Sequence, residues 1–216
     1  MTPGCFVGLM SGTSLDGVDA VVARFSEAPI LLGSAHRAFD AALRDELLRL
    51  HSAGNDELDR AARMGIRLAR HYAAALDDAI ANSGVARGEI AAVGCHGQTV
   101  RHRPDAGYTI QLGSAALLAE LSALRVVSDF RSRDIAAGGQ GAPLVPAFHA
   151  AVFAGEGENR LVLNVGGIAN VSLLVYLVHL PIVAALQVLL FGSPLPAAAK
   201  IAIVVAAGLG VSWSLA

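Results

Sequence analysis

Cysteine is scarce: the chain has two in 216 residues, Cys5 and Cys95. Neither stands in a CxxC pair or beside histidines at zinc-ligand spacing, which excludes a structural zinc site. Both lie in apolar, strand-like runs, so two buried reduced thiols are expected rather than a disulfide. Net charge is scarce too. The formal value is −2 at pH 7, and nothing in it marks a nucleic-acid partner. No Walker A and no GxGxxG occur, so the two commonest phosphate-binding loops are not encoded. The first residues show no basic stretch, and their apolar run is too short for a secretory signal. Acid is missing locally. After Leu174 there is no Asp or Glu, and from Leu161 to Ala216 the only formal charge is Lys200.

That last absence divides the chain. Met1 to Arg160 has the charge density of a soluble protein, expected in the cytoplasm. The tail holds two apolar stretches, 173–191 and 197–216, separated by "GSPLP". Each is about long enough to span a bilayer. An apolar, transmembrane helical hairpin is expected over 175–216, with membrane contact through it.

What is present before the tail reads as alternating elements. "CFVGLMS", "GVDAVVARF" and "ILLGSAHRAF" are strand-like runs joined by turn residues, which predicts an antiparallel meander. Asp40 is placed to cap a helix that stops near Gly54. A second helix is predicted over Asn55–Gly84, with Leu58, Ala61, Ala62, Ile66, Leu68, Ala69, Tyr72, Leu76 and Ile80 at helical spacing. "IAAVGCHG" and "RVVSDF" are strands, "TVRHRP" and "YTIQLG" a hairpin, and "SAALLAELSAL" a helix. "RSRDIAAGGQGAPL" reads as a long polar loop. "VPAFHAAVFAG" is a helix, followed by a strand, a Gly166-Gly167 turn and a strand. Three antiparallel strands followed by alternating helices and parallel strands is the ribonuclease-H-like order. The expected class is therefore α/β, of the sugar kinase, actin and Hsp70 superfamily. One domain is expected over 1–145 and the start of a second over 146–174.

The stretch "SGTSLDGVD" lies between the first two strands. A turn rich in Gly, Ser and Thr offers backbone N–H groups and hydroxyls to anionic oxygens. An adjacent aspartate can hold Mg²⁺ through water. Ser11, Gly12, Thr13 and Ser14 would surround oxygens, with Asp16 or Asp19 toward the metal. A plain polar hairpin is the alternative.

In order and spacing, "GLMSGTSLDGVDAVVARF", "GCHGQTVRHRP", "YTIQLG", "VSDFRSRDIAAGGQGAPLVPAFHAAVF" and "LVLNVGGIANVSLL" resemble the anhydro-N-acetylmuramic acid kinase family. The resemblance covers roughly residues 4 to 174. It implies an ATP- and Mg²⁺-dependent sugar kinase of cell-wall recycling. Such an enzyme converts 1,6-anhydro-N-acetylmuramate to N-acetylmuramate 6-phosphate and opens the anhydro ring with water. It implies that Gly12, Thr13, Ser14, Leu15, Asp16, Gly17, Val18 and Asp19 form the ATP phosphate hairpin. It also implies that His96, Gln98, Asp129, Arg131 and Asp134 line the sugar pocket, where an arginine suits the lactyl carboxylate.

The family's catalytic aspartate follows the "GGIAN" block, in a segment reading like "GFDTGPGN". No such segment occurs in this chain, so no catalytic residue is assigned and impaired turnover is expected. "YLVHLP" (Tyr176–Pro181) resembles a segment of acyltransferase-3 membrane enzymes. Three readings follow: a sugar kinase cut short in its second domain, a non-catalytic membrane-tethered module from a gene fusion, and a hydrolase using Ser14 and His96. The last is disfavoured because Asp16 stands where a nucleophile elbow needs Gly. Oligomer formation is left open.

Overall fold

The computed structural model describes residues 4–26, 28–153, 161–165 and 169–173. The expected tail hairpin, the Gly166-Gly167 turn and the "YLVHLP" segment lie outside them. The chain divides into two units at Leu144 and Val145.

The first unit is built on a five-stranded mixed sheet. β1 (Gly4–Met10) pairs antiparallel with β2 (Gly17–Phe25), and β2 antiparallel with β3 (Pro29–Ala38). This is the meander expected from the apolar runs. α1 (Ala41–Arg49) and α2 (Glu57–Ser83) follow. β4 (Ile90–Cys95) then returns beside β1 in parallel, as expected of a strand preceded by a helical crossover. A hairpin of β5 (Gln98–Arg103) and β6 (Tyr108–Leu112) forms its own two-stranded ribbon. After α3 (Ala115–Ser122), the short β7 (Val126–Ser128) adds to β4 in parallel. The strand order is β3-β2-β1-β4-β7.

Period-two alternation decides which face is covered. Cys5, Val7 and Leu9 of β1 and Val18, Ala20 and Val22 of β2 point to one side and are buried. The stripe Leu68, Tyr72, Leu76 and Ile80 of α2 packs there with Leu43 and Leu47 of α1. Leu58 and Ile66, expected on that stripe, face outward and are exposed. Gly33 lets β3 approach α2 closely, because a Cβ there would lie 2.6 Å from Ser83 Cα. The opposite face carries Phe6, Met10, Val21 and Phe25, all exposed, with Phe6 and Phe25 edge to face at 5.7 Å. Both cysteines are free and buried.

Asp40 caps α1 as predicted, its carboxylate accepting from Leu43 N at 2.8 Å. The helix ends at Arg49, five residues before Gly54. There His51 N and Ser52 N bond back three residues, and Arg101 takes the Leu50 carbonyl. Gly84, at φ 68°, ends α2 as expected.

One reading is corrected. Arg131–Leu144 was expected to be loop, but Phe130–Ala136 is a helix, α4. Its glycines misled: Gly138, Gly139 and Gly141 all lie beyond Ala136. They form the helix stop, where Gly138 N bonds Ile135 O and Gly139 N bonds Asp134 O. The second unit contains α5 (Pro146–Phe153) and an antiparallel pair, β8 (Leu161–Val165) and β9 (Ala169–Leu173). Among the described residues, no helix is long and apolar enough to cross a membrane.

Candidate functional site

The β1–β2 connection is a tight turn closed by Leu15 N donating to Gly12 O at 3.2 Å. Thr13 and Ser14 are exposed at its tip. Leu15 sits at φ 56°, a left-handed conformation that costs a bulky residue about 1–2 kcal/mol. Its side chain is buried in the core, which holds the strained backbone in place. Gly17 is required by close approach: a Cβ there would collide with Arg37 O and come within 2.8 Å of the His36 ring. Leu15 and Val18 are core side chains, so they can offer a ligand only backbone.

Asp16 Oδ1 accepts from Ser14 Oγ at 2.7 Å and from Gly17 N at 3.1 Å. The Ser14 bond holds its carboxyl below the usual range, against an opposing effect of burial. Asp19 lies on the open sheet face and meets His36 Nδ1 at 2.8 Å. The two aspartates therefore have different surroundings. Among the described residues no cluster of three metal-ligating side chains exists. The turn fits phosphate oxygens through hydroxyls and N–H groups, and Asp16 fits a metal that arrives with the phosphates.

A cleft of about 320 Å³ opens between the β4 end, the β5–β6 hairpin and the starts of α3 and α4. That is near the lower end of small-molecule sites, about 300–1,000 Å³. Its polar lining includes His96, Thr109, Gln111, Ser114, Ser128 and Asp129. Leu112, Leu118 and Tyr72 supply apolar surface. Gln111 Nε2 donates to Thr99 and Thr109 hydroxyls, leaving Oε1 buried without a partner among the described residues. Ser114 caps α3 by accepting from Leu117 N. Asp129 adopts a left-handed φ of 63° where β7 turns into α4.

The expected pocket residues separate. His96 and Asp129 line the cleft; Gln98, Arg131 and Asp134 do not. His96 Nδ1 donates to Gly97 O at 2.7 Å, and Nε2 accepts from Arg131 Nε at 2.7 Å, so the ring is neutral. Burial pushes its pKa down, the Gly97 bond opposes this, and the Arg131 charge adds a smaller lowering. Arg131 Nη1 also donates to Gly141 O at 2.7 Å, and Asp134 accepts from Gly141 N at 2.7 Å. These two residues hold Gly141 by its carbonyl and its N–H, on the two peptides that flank it, instead of pairing with each other. Gln98 is fully buried and donates to Gly12 O at 3.1 Å. Ser14 and His96 share no hydrogen bond, and each is engaged elsewhere, so the hydrolase reading has no dyad.

Sequence reasoning did not single out Gln111, Ser114 or Tyr72. Gln111 sits in a strand and Ser114 at a helix start, where a capping role explains it. Tyr72 looks like one more core position of α2. Its hydroxyl meets Ser11 Oγ at 2.7 Å, and only the fold brings residues 61 apart together.

Fold and cleft together define a mixed α/β protein with a cleft of small-molecule size beside a glycine–hydroxyl turn, the class to which sugar kinases belong. The chain belongs to the anhydro-N-acetylmuramic acid kinase family, whose sequence pattern matches residues 4–177. It is similar to the anhydro-N-acetylmuramic acid kinase of Bordetella pertussis, 61% identical over 170 residues, covering 78% of this chain and 45% of that protein. The kinase of the same name from Nitrosospira multiformis is 55% identical over 175 residues, 80% of this chain and 48% of the relative. That from Burkholderia ambifaria is 53% identical over 173 residues, 79% and 45%. The chain thus spans about half the length of the curated relatives it matches.

Proposed function

We propose that residues 4–174 form the phosphate-binding and sugar-binding half of an ATP-dependent kinase for 1,6-anhydro-N-acetylmuramic acid. The complete reaction adds water across the anhydro bridge and transfers the γ-phosphoryl group, giving N-acetylmuramate 6-phosphate, a step of cell-wall recycling. The strand order β3-β2-β1-β4-β7, with its first three strands antiparallel and the rest parallel to β1, supports a ribonuclease-H-like domain. One observation carries the functional reading. The turn and the cleft meet at Gly97, which lines the cleft and whose carbonyl accepts from Ser11 Oγ beside the turn.

In this reading Gly12, Thr13 and Ser14 hold phosphate oxygens, and Asp16 orients Mg²⁺ carried by the nucleotide. Asp19, engaged by His36, is not the ligand. Gln111, Ser114 and Asp129 receive the sugar's hydroxyl, amide and ether groups, while His96, both ring nitrogens engaged, offers its ring as a wall of the cleft. Mg²⁺ held near Asp16 would supply charge neutralisation for the transferring phosphoryl group. No residue is assigned as the base for the attacking water, so turnover by this chain is weak or nil.

Calorimetry with MgATP and with the anhydro-sugar tests this, run beside a full-length relative. The full chain should bind both ligands, more weakly than the relative. Thr13→Val should weaken nucleotide binding alone, and Gln111→Leu sugar binding alone. Loss of both ligands from the wild-type chain, while the relative binds them, overturns the reading. A second reading, a membrane-tethered binding module, is favoured by the single formal charge between Leu161 and Ala216. Vesicle flotation that depends on residues 175–216 would support it.

A further inference from the structure

Gln98 was expected in the sugar pocket, but its surroundings give it another task. It opens β5 directly after Gly97 and is 0% exposed. Its side-chain nitrogen donates to Gly12 O at 3.1 Å and lies 3.4 Å from Thr99 O. Both neighbours are carbonyl oxygens, so the amide cannot be reversed without facing acceptor to acceptor. Its Oε1 is consequently buried with no partner among the described residues.

A buried amide with one half unsatisfied is a poor choice for stability. An apolar side chain of similar volume would fill the same space without that penalty. What the amide adds is a hold on Gly12. That carbonyl already accepts from Leu15 N, which closes the turn. The turn contains a left-handed leucine, a conformation that persists only when surrounding contacts enforce it. A second tie runs in parallel. Ser11, 2% exposed, donates to Gly97 O and receives the Tyr72 hydroxyl at 2.7 Å. The β1–β2 turn is thus fastened on both sides of the Ser11–Gly12 peptide to the β4–β5 corner, which also borders the cleft.

We infer that Gln98 is a positioning residue for the phosphate-binding turn and does not contact the sugar, with Ser11 and Tyr72 forming a second tie. This rests on the reading of that turn as the nucleotide-phosphate site. Gln98 acts through Gly12: it fixes the direction of the N–H groups that follow.

The test uses the full chain and Gln98→Met, which keeps volume and removes the donor. Hydrogen exchange is read at the amides of residues 13–17, melting temperature is recorded, and Kd is measured for MgATP and for the anhydro-sugar. Expected are exchange and MgATP Kd each raised about tenfold, the scale of one lost net hydrogen bond. Sugar Kd and melting temperature should hold or, for the latter, rise. A residue serving stability alone would lower the melting temperature and move both ligands together. Should Gln98→Met fail to fold, Tyr72→Phe reads the second tie, with exchange raised about threefold. Wild-type exchange and MgATP affinity in Gln98→Met overturn the inference, as does loss of sugar binding with nucleotide binding intact. If wild type ignores MgATP while Gln98→Met exchanges faster, the positioning stands and the phosphate reading falls.

Discussion

His96 shows how one side chain joins chemistry to stability. Its Nε2 must keep a lone pair to accept from Arg131 Nε, and its Nδ1–H is committed to Gly97 O. Protonation would set two cations together in a half-buried place. Its folded pKa lies below the usual 6.5, first because of burial. The unfolded chain therefore takes the proton first as pH falls. The contribution of neutral His96 is complete above pH 6.5 and is lost as pH drops from there through the folded value. Melting temperature should fall between pH 7 and 5, and His96→Gln should flatten part of that slope. His71 and His102, also lowered mainly by burial, act in the same direction. A ring NMR titration of His96 centred at or above 6.5 would contradict this. Gly17 gives a purely steric prediction. Gly17→Ala places a methyl against Arg37 O and the His36 ring, and should cost about 1–3 kcal/mol in denaturant unfolding. An unchanged midpoint would mean that β2 and β3 can part without penalty.

At the scale of elements, legibility followed periodicity. β1, β2 and β3 were readable because alternation and turn residues agree locally. α2 was readable because its buried stripe and Gly84 both mark it, although Leu58 and Ile66 face outward and the true stripe also uses Gly65, Ala75 and Ala79, small residues that carry little signal. α4 was not readable: "FRSRDIA" has no apolar period, and its order comes from the Asp129 turn and the glycine stop. The site divides the same way. The turn and the approximate cleft are visible as motifs. Which side of a strand end Gln98 or Arg131 takes depends on Gly12 and Gly141, far along the chain or across a bend. The grip on Gly141 yields a test. Asp134→Ala removes the acceptor for Gly141 N and leaves Arg131 on the carbonyl. The loss should be about 1 kcal/mol of stability, with faster proteolysis confined to residues 137–144. Cleavage no faster than wild type would show that the loop is held by other means.

At the scale of the whole molecule, the buried hydrophobic residues of the first unit run from Cys5 to Leu118, with Leu124 and Val126 packed against them. Every strand of the five-stranded sheet lies before Leu144. This core is closed by its own helices on one face, so its cooperativity should not depend on the chain after Leu144. The other face is less well provided for. Phe6, Val21 and Phe25 remain exposed on adjacent strands of the sheet, a surface that invites association rather than unfolding. A fragment of residues 1–144 should therefore melt in one transition, with its near-ultraviolet tyrosine dichroism lost in step with the helical signal. Its midpoint should lie within about 2–4 °C of the first-unit transition in the full chain, the shift expected for 1 kcal/mol in a domain of about 150 residues. The fragment should also bind a hydrophobic dye, and Val21→Thr should reduce that binding without lowering the midpoint. A fragment with helix signal but no cooperative transition would show that the second unit is needed to complete the fold. Self-association abolished by Val21→Thr, with the midpoint kept, would instead locate the liability on the open face of the sheet and leave the core argument standing.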